Sequence, residues 1–242
     1  MSGHSHWHSI KGKKGLADAK KSKAFSKLAR LISVAAREGG PDTESNPRLR
    51  IAIEQARSLN MPADNIERTI KKSSGELGET KLEPVIFEAI GPGNIAIIIE
   101  GITDNKNRAI SEIKQTLSQS QGKLTGEGSV RWLFEKKGVL NTGQSTIDSS
   151  LKESIELKAI EAGAEDILWT DGNLNIYTKA ESLDKVKKKL EEQEVKIESI
   201  SLEWIAKEYI SVADRDKESC QKLFEALDDL DSVQEIYSNL KT

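Results

Sequence analysis

The spacing of apolar residues changes once along this chain, near residue 84, and that change limits the folds open to it. Before residue 84, apolar residues recur every three or four positions, as on one face of an α-helix. After it, short apolar runs bounded by turn residues indicate strands, and helical stretches lie between them. The sequence therefore predicts a helical part followed by a mixed α/β part.

The first part predicts three amphipathic helices. One covers residues 16–38 and stops at Gly39-Gly40-Pro41, and the second begins with Asn46 as its N-cap and Pro47 in its first turn. The third covers about 62–73. The residues predicted to face inward are Phe25, Leu28, Ala29, Ile32, Ala36, Leu49, Ala52, Ile53, Ala56, Leu59, Ala63, Ile66 and Ile70.

The part after the polar linker 76–83 predicts three strands but one helix. Its strands are 85–90, 95–102 and 130–134, and its helix runs from a cap at Asp104 or Asn105 to Leu117. One helix leaves a face of such a sheet half covered. The C-terminal tail, residues 208–242, can supply the missing helix. Its pattern predicts a strand at 209–212, a helix at 217–230 and a strand at 233–237.

The segment 138–207, between the first mixed part and the tail, predicts a strand-helix-strand-strand-helix-strand order, which is ferredoxin-like. Its predicted elements are 139–140, 151–162, 167–169, 174–177, 183–193 and 195–202. We therefore predict an α+β protein: an N-terminal three-helix domain followed by two ferredoxin-like α/β domains, one inserted in the other. The predicted boundaries are 1–80 for the helical domain, 81–137 with 208–242 for the middle domain, and 138–207 for the insertion.

Charge is segregated to the N-terminus. The first 37 residues hold nine lysines and arginines against one acid, Asp18, a net of +8 in a chain of net charge −3. The remainder must therefore carry −11. A polyanion is the partner best matched to such an end, because every neutralised phosphate releases a counterion. A lysine-rich solvated face is the alternative interpretation.

The residues predicted to bind nucleic acid are mostly basic. Opposite the apolar face of the first helix lie Lys20, Lys23, Lys27, Arg30 and Arg37. Arg48 and Arg50 lie at the start of the second helix, where the backbone amides also favour phosphate. Trp7 is predicted either to stack on a base or to cap the helical core. The full candidate set is Trp7, His8, Lys11, Lys13, Lys14, Lys20, Lys21, Lys23, Lys27, Arg30, Arg48, Arg50, Lys106 and Arg108.

Enzyme chemistry has no signature in the sequence: a Walker loop, a dinucleotide fingerprint, HExxH and Cys-x-x-Cys are all absent. Gly126-x-Gly128 is a weak pattern that a turn explains as well as a phosphate cradle does. His4, His6 and His8 could chelate a transition metal in an extended segment, but no further His is present and the single Cys220 lies in a helical core pattern. We predict no catalytic residue, metal or cofactor.

Location follows from two further features. The longest apolar stretch is too short to cross a bilayer, and the N-terminus lacks the apolar region of a secretory signal. A single cysteine excludes an internal disulfide and fits a reducing compartment. We predict a cytoplasmic protein without a membrane partner, and the oligomeric state stays open.

Eight short segments in order resemble the YebC/PmpR family, which includes a mitochondrial translational activator of cytochrome oxidase subunit I. His6 stands where that family usually has Lys, Asn94 where it often has Gly, and Lys106 where Arg is usual. The segments are Gly3-His4-Ser5-His6-Trp7, Asp18-Ala19-Lys20, Asn46-Pro47-Arg48-Leu49-Arg50, Gly91-Pro92-Gly93, Asp104-Asn105-Lys106-Asn107-Arg108, Gly128-Ser129-Val130, Ala162-Gly163-Ala164-Glu165-Asp166 and Val233-Gln234-Glu235-Ile236-Tyr237.

The resemblance implies three domains, no enzyme activity and a role in gene expression. Its members are described as DNA-binding transcriptional regulators and as ribosome-associated factors that aid translation of proline-rich stretches. The first role is our main prediction, and a ribosome- and RNA-binding translation factor is the alternative. No helix shows Arg, Asn or Gln set for base edges, which favours backbone contacts with little sequence readout. A protein–protein scaffold with acidic α/β domains is a third hypothesis.

Overall fold

The structure is a computed structural model that describes residues 18–74, 81–144, 149–170 and 172–241. Its fold is α+β, as the sequence predicts, with helices first and two sheets after them. The helices are α1 (Asp18–Gly39), α2 (Pro47–Ser58), α3 (Ala63–Ser74), α4 (Lys106–Gln119), α5 (Ser149–Ala162), α6 (Leu183–Glu192) and α7 (Asp214–Asp228). The strands are β1 (Glu83–Ile90), β2 (Ala96–Thr103), β3 (Lys123–Thr125), β4 (Phe134–Gln144), β5 (Asp166–Thr170), β6 (Asn173–Lys179), β7 (Ser199–Ala206) and β8 (Val233–Ser238).

Asn46 fastens the end of α1 to the start of α2. Its side-chain oxygen accepts the Leu49 amide at 3.0 Å, and its side-chain nitrogen donates to the carbonyls of Ala35 and Gly40, both at 2.8 Å. The side chain is buried; its bond with the Leu49 amide satisfies a backbone group left unpaired at the start of α2, and its two other bonds tie it to the end of α1. The predicted N-cap is therefore confirmed.

Most of the predicted helical core is buried, including Leu28, Ile32 and Leu49. Two of the predictions are wrong. Leu59 is 40% exposed because α2 ends at Ser58 and the chain turns away, with Asn60 at a positive φ of 59°. Ala63 is exposed because it is the first residue of α3, at the turn between the helices.

The first sheet has the order β3-β1-β2-β8, and all its strand pairs are antiparallel. Helices α4 and α7 supply Ile113, Leu117, Leu223 and Leu227 to one buried cluster, which also contains Ile97 and other side chains of β1, β2 and β8. The tail thus contributes both a helix and a strand to a sheet that begins about 130 residues earlier in the chain. Cys220 belongs to the same cluster and is fully buried, in agreement with its helical core pattern.

The second sheet has the order β5-β6-β4-β7, which is the ferredoxin-like arrangement of four strands. Strands β5 and β6 form the hairpin predicted around Asp171-Gly172, with Ile167 opposite Ile176. Gly172 has a φ of +82°, a conformation that glycine adopts without strain.

Two predicted strands are wrong in position, and a third, at 209–212, is only an isolated parallel bridge between Ile210 and Leu240. Residues 131–133 form a 3₁₀ turn, and the strand there is β4, which starts only at Phe134. The strand predicted at 195–202 is β7 at Ser199–Ala206, because Glu194 takes a positive φ of 62° and the Val195 amide closes the end of α6 on the Leu190 carbonyl. An apolar residue at a helix end carries the same local signal as one in a strand.

The described residues form two compact units. One contains residues 18–52, Pro62–Glu135 and the chain from Ile205 onward, and the other contains Ile53–Met61 and Lys136–Trp204. The three-domain boundaries predicted above stay a prediction.

Candidate nucleic-acid interface

The candidate interface is centred on α1, but part of the predicted set precedes the described residues. Trp7, His8, Lys11, Lys13 and Lys14 lie outside them, and Lys20 is described only as part of the α1 backbone. The geometry therefore concerns Lys21 onward on α1, the start of α2 and the start of α4.

Lys27 is a structural residue within the predicted basic face. Its ammonium nitrogen lies 2.7 Å from Asp228 Oδ1 and 3.0 Å from the Asp228 carbonyl oxygen. Only 9% of Lys27 is exposed. The expectation that it lies on a solvated face is wrong, because the end of α7 covers that side of α1.

Two further cations of α1 reach the same turn. Lys23 pairs with Asp229 at 2.8 Å, and the Arg30 guanidinium donates to the Asp231 carbonyl. The C-terminal carbonyls of a helix carry partial negative charge, so cations are favoured where α7 ends at Asp228. Acidic side chains and backbone carbonyls thus meet the basic face of α1.

The Lys23 pair differs from the Lys27 pair in its solvation. The Asp229 side chain is 83% exposed, whereas the Asp228 side chain is 24% exposed. An exposed ion pair contributes about 0–1 kcal/mol and is screened by salt. Phosphate can therefore replace Asp229 at Lys23 with little loss, while Lys27 stays engaged.

The remaining cations of α1 lie near its two ends. Lys21 is exposed, and its ammonium lies 5.8 Å from the centre of the Phe25 ring. Arg37 is exposed near the C-terminus of the helix and donates to the Leu82 carbonyl. The predicted basic face is thus divided into an open N-terminal part and an engaged middle.

The start of α2 presents Arg48 and Arg50. Arg48 is largely exposed and pairs with Glu38 at 2.9 Å, whereas Arg50 donates to the Thr43 carbonyl at 2.8 Å. Both contacts hold the loop between α1 and α2. Arg48 is the residue of this pair whose exposed charge suits an external phosphate.

The start of α4 presents Lys106 and Arg108. Asn105 caps this helix by accepting the Arg108 amide at 3.1 Å, so of the two predicted caps Asn105 is confirmed. The Arg108 guanidinium lies 2.5 Å from Asp104 Oδ1 and 3.9 Å from Glu112 Oε1. Arg108 therefore pairs locally, while Lys106 is exposed beside the helix N-terminus.

Sequence reasoning missed a clamp on the first sheet, in which the buried side chain of Glu88 on β1 holds a nearby loop. Its carboxylate is 2% exposed and accepts the amides of Gly128, Val130 and Arg131 at 2.8, 2.8 and 2.9 Å. Burial raises the pKa of this carboxyl, but the three amides and the nearby Arg131 guanidinium outweigh burial and leave the pKa below its ordinary value. The one local signal was a charged residue inside the apolar run 85–90.

The clamp fixes the loop that leads to Trp132. Trp132 falls within the predicted strand 130–134, but it lies in the 3₁₀ turn and is 66% exposed. Sequence reasoning also left out three exposed cations of α3: Arg68, Lys71 and Lys72. Lys71 lies 3.8 Å from Glu67.

The described residues hold neither a candidate metal cluster nor a candidate membrane span. No group of three or more His, Cys, Asp or Glu side chains within 18–74, 81–144, 149–170 and 172–241 is arranged to hold a metal ion. In the same part of the chain, no helix is both long enough and apolar enough to cross a membrane. His4, His6 and His8 lie outside these ranges.

Two family descriptions match the chain in sequence order. "TACO1/YebC protein N-terminal domain" matches residues 5–76, and "TACO1/YebC second and third domain" matches residues 82–240. The chain belongs to the TACO1/YebC family. The matches meet near residue 80, where the helices give way to the first sheet.

Relatives of this family match over almost the full chain. A protein of Thermotoga maritima is 45% identical and one of Halothermothrix orenii is 44% identical, covering 100% and 99% of this chain and 94% of each relative. Both are named "Probable transcriptional regulatory protein". The crystal structure of a conserved hypothetical protein from Aquifex aeolicus is 42% identical, covers 98% of this chain and 96% of that one, and superposes with a TM-score of 0.88.

Proposed function

We propose that this protein is a non-enzymatic, cytoplasmic, nucleic-acid-binding regulator of gene expression, with DNA-binding transcriptional regulation as the main function. The observation that carries the proposal is the net charge of +8 in the first 37 residues of an otherwise acidic chain. The names of its relatives agree with a role in transcription.

The proposed contact surface leaves out Lys27 and Arg30 of the basic stripe, which are engaged by the end of α7. It comprises Lys11, Lys13, Lys14, Lys20, Lys21, Lys23 and Arg48. Lys27 and Arg30 support this surface from within, since their contacts to Asp228 and Asp231 fix α1 against the end of α7. Lys106, and to a smaller degree Arg108, form a second contact at the start of α4.

A ribosome- and RNA-associated role in translation is the second candidate, and one observation favours it. Trp132 presents an aromatic ring to solvent. Aromatic faces bind the unpaired bases of single-stranded nucleic acid more readily than bases within a duplex. A backbone-binding cationic surface serves either polymer, so charge alone does not choose between them.

The discriminating experiment is crosslinking of the full chain to its nucleic acid in cells, followed by sequencing of the DNA and RNA recovered. Enrichment of defined promoter DNA supports transcriptional regulation, and enrichment of ribosomal RNA from polysome fractions supports the translation role. The Lys20→Ala/Lys21→Ala/Lys23→Ala variant is the control for binding through the proposed surface. Recovery of neither polymer above this control would refute nucleic-acid binding and leave the scaffold hypothesis.

A further inference from the structure

Trp132 is the most exposed large hydrophobic side chain among the described residues, at 66%. It follows a loop of exposed small and polar residues, Gly126, Glu127, Gly128 and Ser129. Tryptophan is enriched at binding interfaces because its ring supplies a large contact area, so an exposed tryptophan is a candidate contact residue.

The loop before Trp132 is fixed by a buried charge. Glu88 accepts hydrogen bonds from the backbone amides of Gly128, Val130 and Arg131, and Arg131 Nε lies 3.2 Å from Glu88 Oε1. A carboxylate with 2% exposure that accepts three amides of one loop orders the loop before any ligand arrives.

The indole itself is oriented and open. Its Nε1–H donates to the Ser129 carbonyl at 3.1 Å, which fixes one edge of the ring. The loop before it has open space beside its glycines: a Cβ added at Gly128 meets no atom within 4 Å, and one added at Gly126 meets only Ser129 Oγ at 3.8 Å. Gly128 has a φ of +80°, a conformation that glycine adopts without strain.

The small apolar area that Trp132 exposes indicates which class of partner it can bind. A stable protein interface buries about 800 Å² on each side, whereas a single tryptophan offers about 150–250 Å². The exposed neighbours in the loop are small or polar and do not extend the apolar area. A single exposed aromatic ring is best matched by one other flat ring stacked on it, and every nucleobase has a flat π-face.

We propose that Trp132 stacks on an unpaired base and makes this loop a binding site for single-stranded nucleic acid, an inference that rests on the proposed function. The backbone amide of exposed Lys207 donates to the carbonyl of Leu133 at 2.9 Å, so a basic residue is anchored next to the residue that follows Trp132. Bases within a duplex are covered by their neighbours, so the site selects single strands.

The test measures the affinity of the full chain for a fluorescent 12-nucleotide single strand and for an abasic strand with the same number of phosphates. Stacking contributes about 1–3 kcal/mol per base, so Trp132→Ala should weaken binding of the base-bearing strand about 5- to 150-fold. Binding of the abasic strand and the salt dependence should not change. Trp132→Phe should retain most of the affinity, and Leu157→Ala, at another exposed apolar residue, should match the wild type.

Three results would overturn the inference. The first is equal loss of affinity for the base-bearing and abasic strands, and the second is no loss in Trp132→Ala with unchanged circular dichroism. The third is quenching of tryptophan fluorescence by a proline-rich peptide that persists in wild type and is lost in Trp132→Ala, while no oligonucleotide quenches. A wild type that binds no strand, abasic or base-bearing, and no duplex would instead refute the proposed function.

Discussion

Replacing Lys27 by Ala should destabilise the protein, although Lys27 belongs to a stripe that the sequence presents as a solvated binding face. Its ammonium donates to both the side chain and the carbonyl of Asp228, and only 11% of its side chain is exposed. Hydrogen bonds to charged groups contribute about 1.5–3 kcal/mol, and breaking a fully buried pair costs about 3–5 kcal/mol.

The magnitude lies below the fully buried limit because the Asp228 side chain keeps 24% exposure and regains some water. We expect a loss of about 2–3 kcal/mol in the free energy of unfolding, and a fall in Tm of about 4–12 °C for a chain of this size. Lys23→Ala is the matched control one turn away. Its partner Asp229 is 83% exposed, so we expect less than about 1 kcal/mol there.

The assay is urea denaturation of the full chain, followed by circular dichroism, for Lys27→Ala, Asp228→Ala and the double variant. The two single losses should exceed the double loss when summed, with a coupling energy of about 1–3 kcal/mol. Equal stability of Lys27→Ala and Lys23→Ala, or additive losses at Lys27 and Asp228, would refute the structural role of this pair.

Three further predictions concern the clamp, the buried thiol and α4. Glu88→Gln should lower the free energy of unfolding by about 1–3 kcal/mol at pH 7. Because the pKa of Glu88 in the folded protein lies below the ordinary 4.5, this stability advantage of the wild type should be complete above pH 4.5 and shrink as the pH falls below it. An advantage unchanged at pH 3 would contradict the clamp. Burial, with a smaller effect of Asp216, raises the pKa of Cys220 to about 11, so a thiol reagent at pH 8 should label it only in denaturant, and rapid labelling of the native protein would count against its buried position. Lys106→Glu and Arg108→Glu should weaken nucleic-acid binding more than Lys188→Glu on α6, and equal effects of the three would reduce the contact at α4 to general charge.

Sequence reasoning succeeded where the determinants are local. Asn46 followed by Pro47 marks a helix start whatever the rest of the fold, and the helical spacing of Leu28 and Ile32 predicts a buried face. The pairing of β8 with the first sheet is long-range, yet it left a trace, since the elements at 84–134 are one helix short of a covered sheet.

It failed where two distant segments decide the environment of one side chain. Lys27 has Asp228 as its partner, 201 residues away, and no spacing on α1 distinguishes it from Lys23. The Glu88 clamp likewise depends on a loop 40 residues later in the chain. A strand pattern predicted at 130–134 concealed it, because Val130 and Phe134, which flank the 3₁₀ turn, are buried as they would be in a strand.

The central claim is that basic residues at the N-terminal end of the chain, other than Lys27 and Arg30, bind nucleic-acid phosphates, and the salt dependence of affinity tests it most directly. About six phosphate contacts predict a slope of log affinity against log salt near −5 on duplex DNA and near −4 on a single strand. Lys20→Ala/Lys21→Ala/Lys23→Ala should reduce the magnitude of that slope by roughly 2–3 while the protein stays folded, since Lys27 is retained. The α6 variant Lys185→Ala/Lys188→Ala/Lys189→Ala should keep the wild-type slope. An unchanged slope in the α1 variant would contradict the account and leave these lysines as a solvated face.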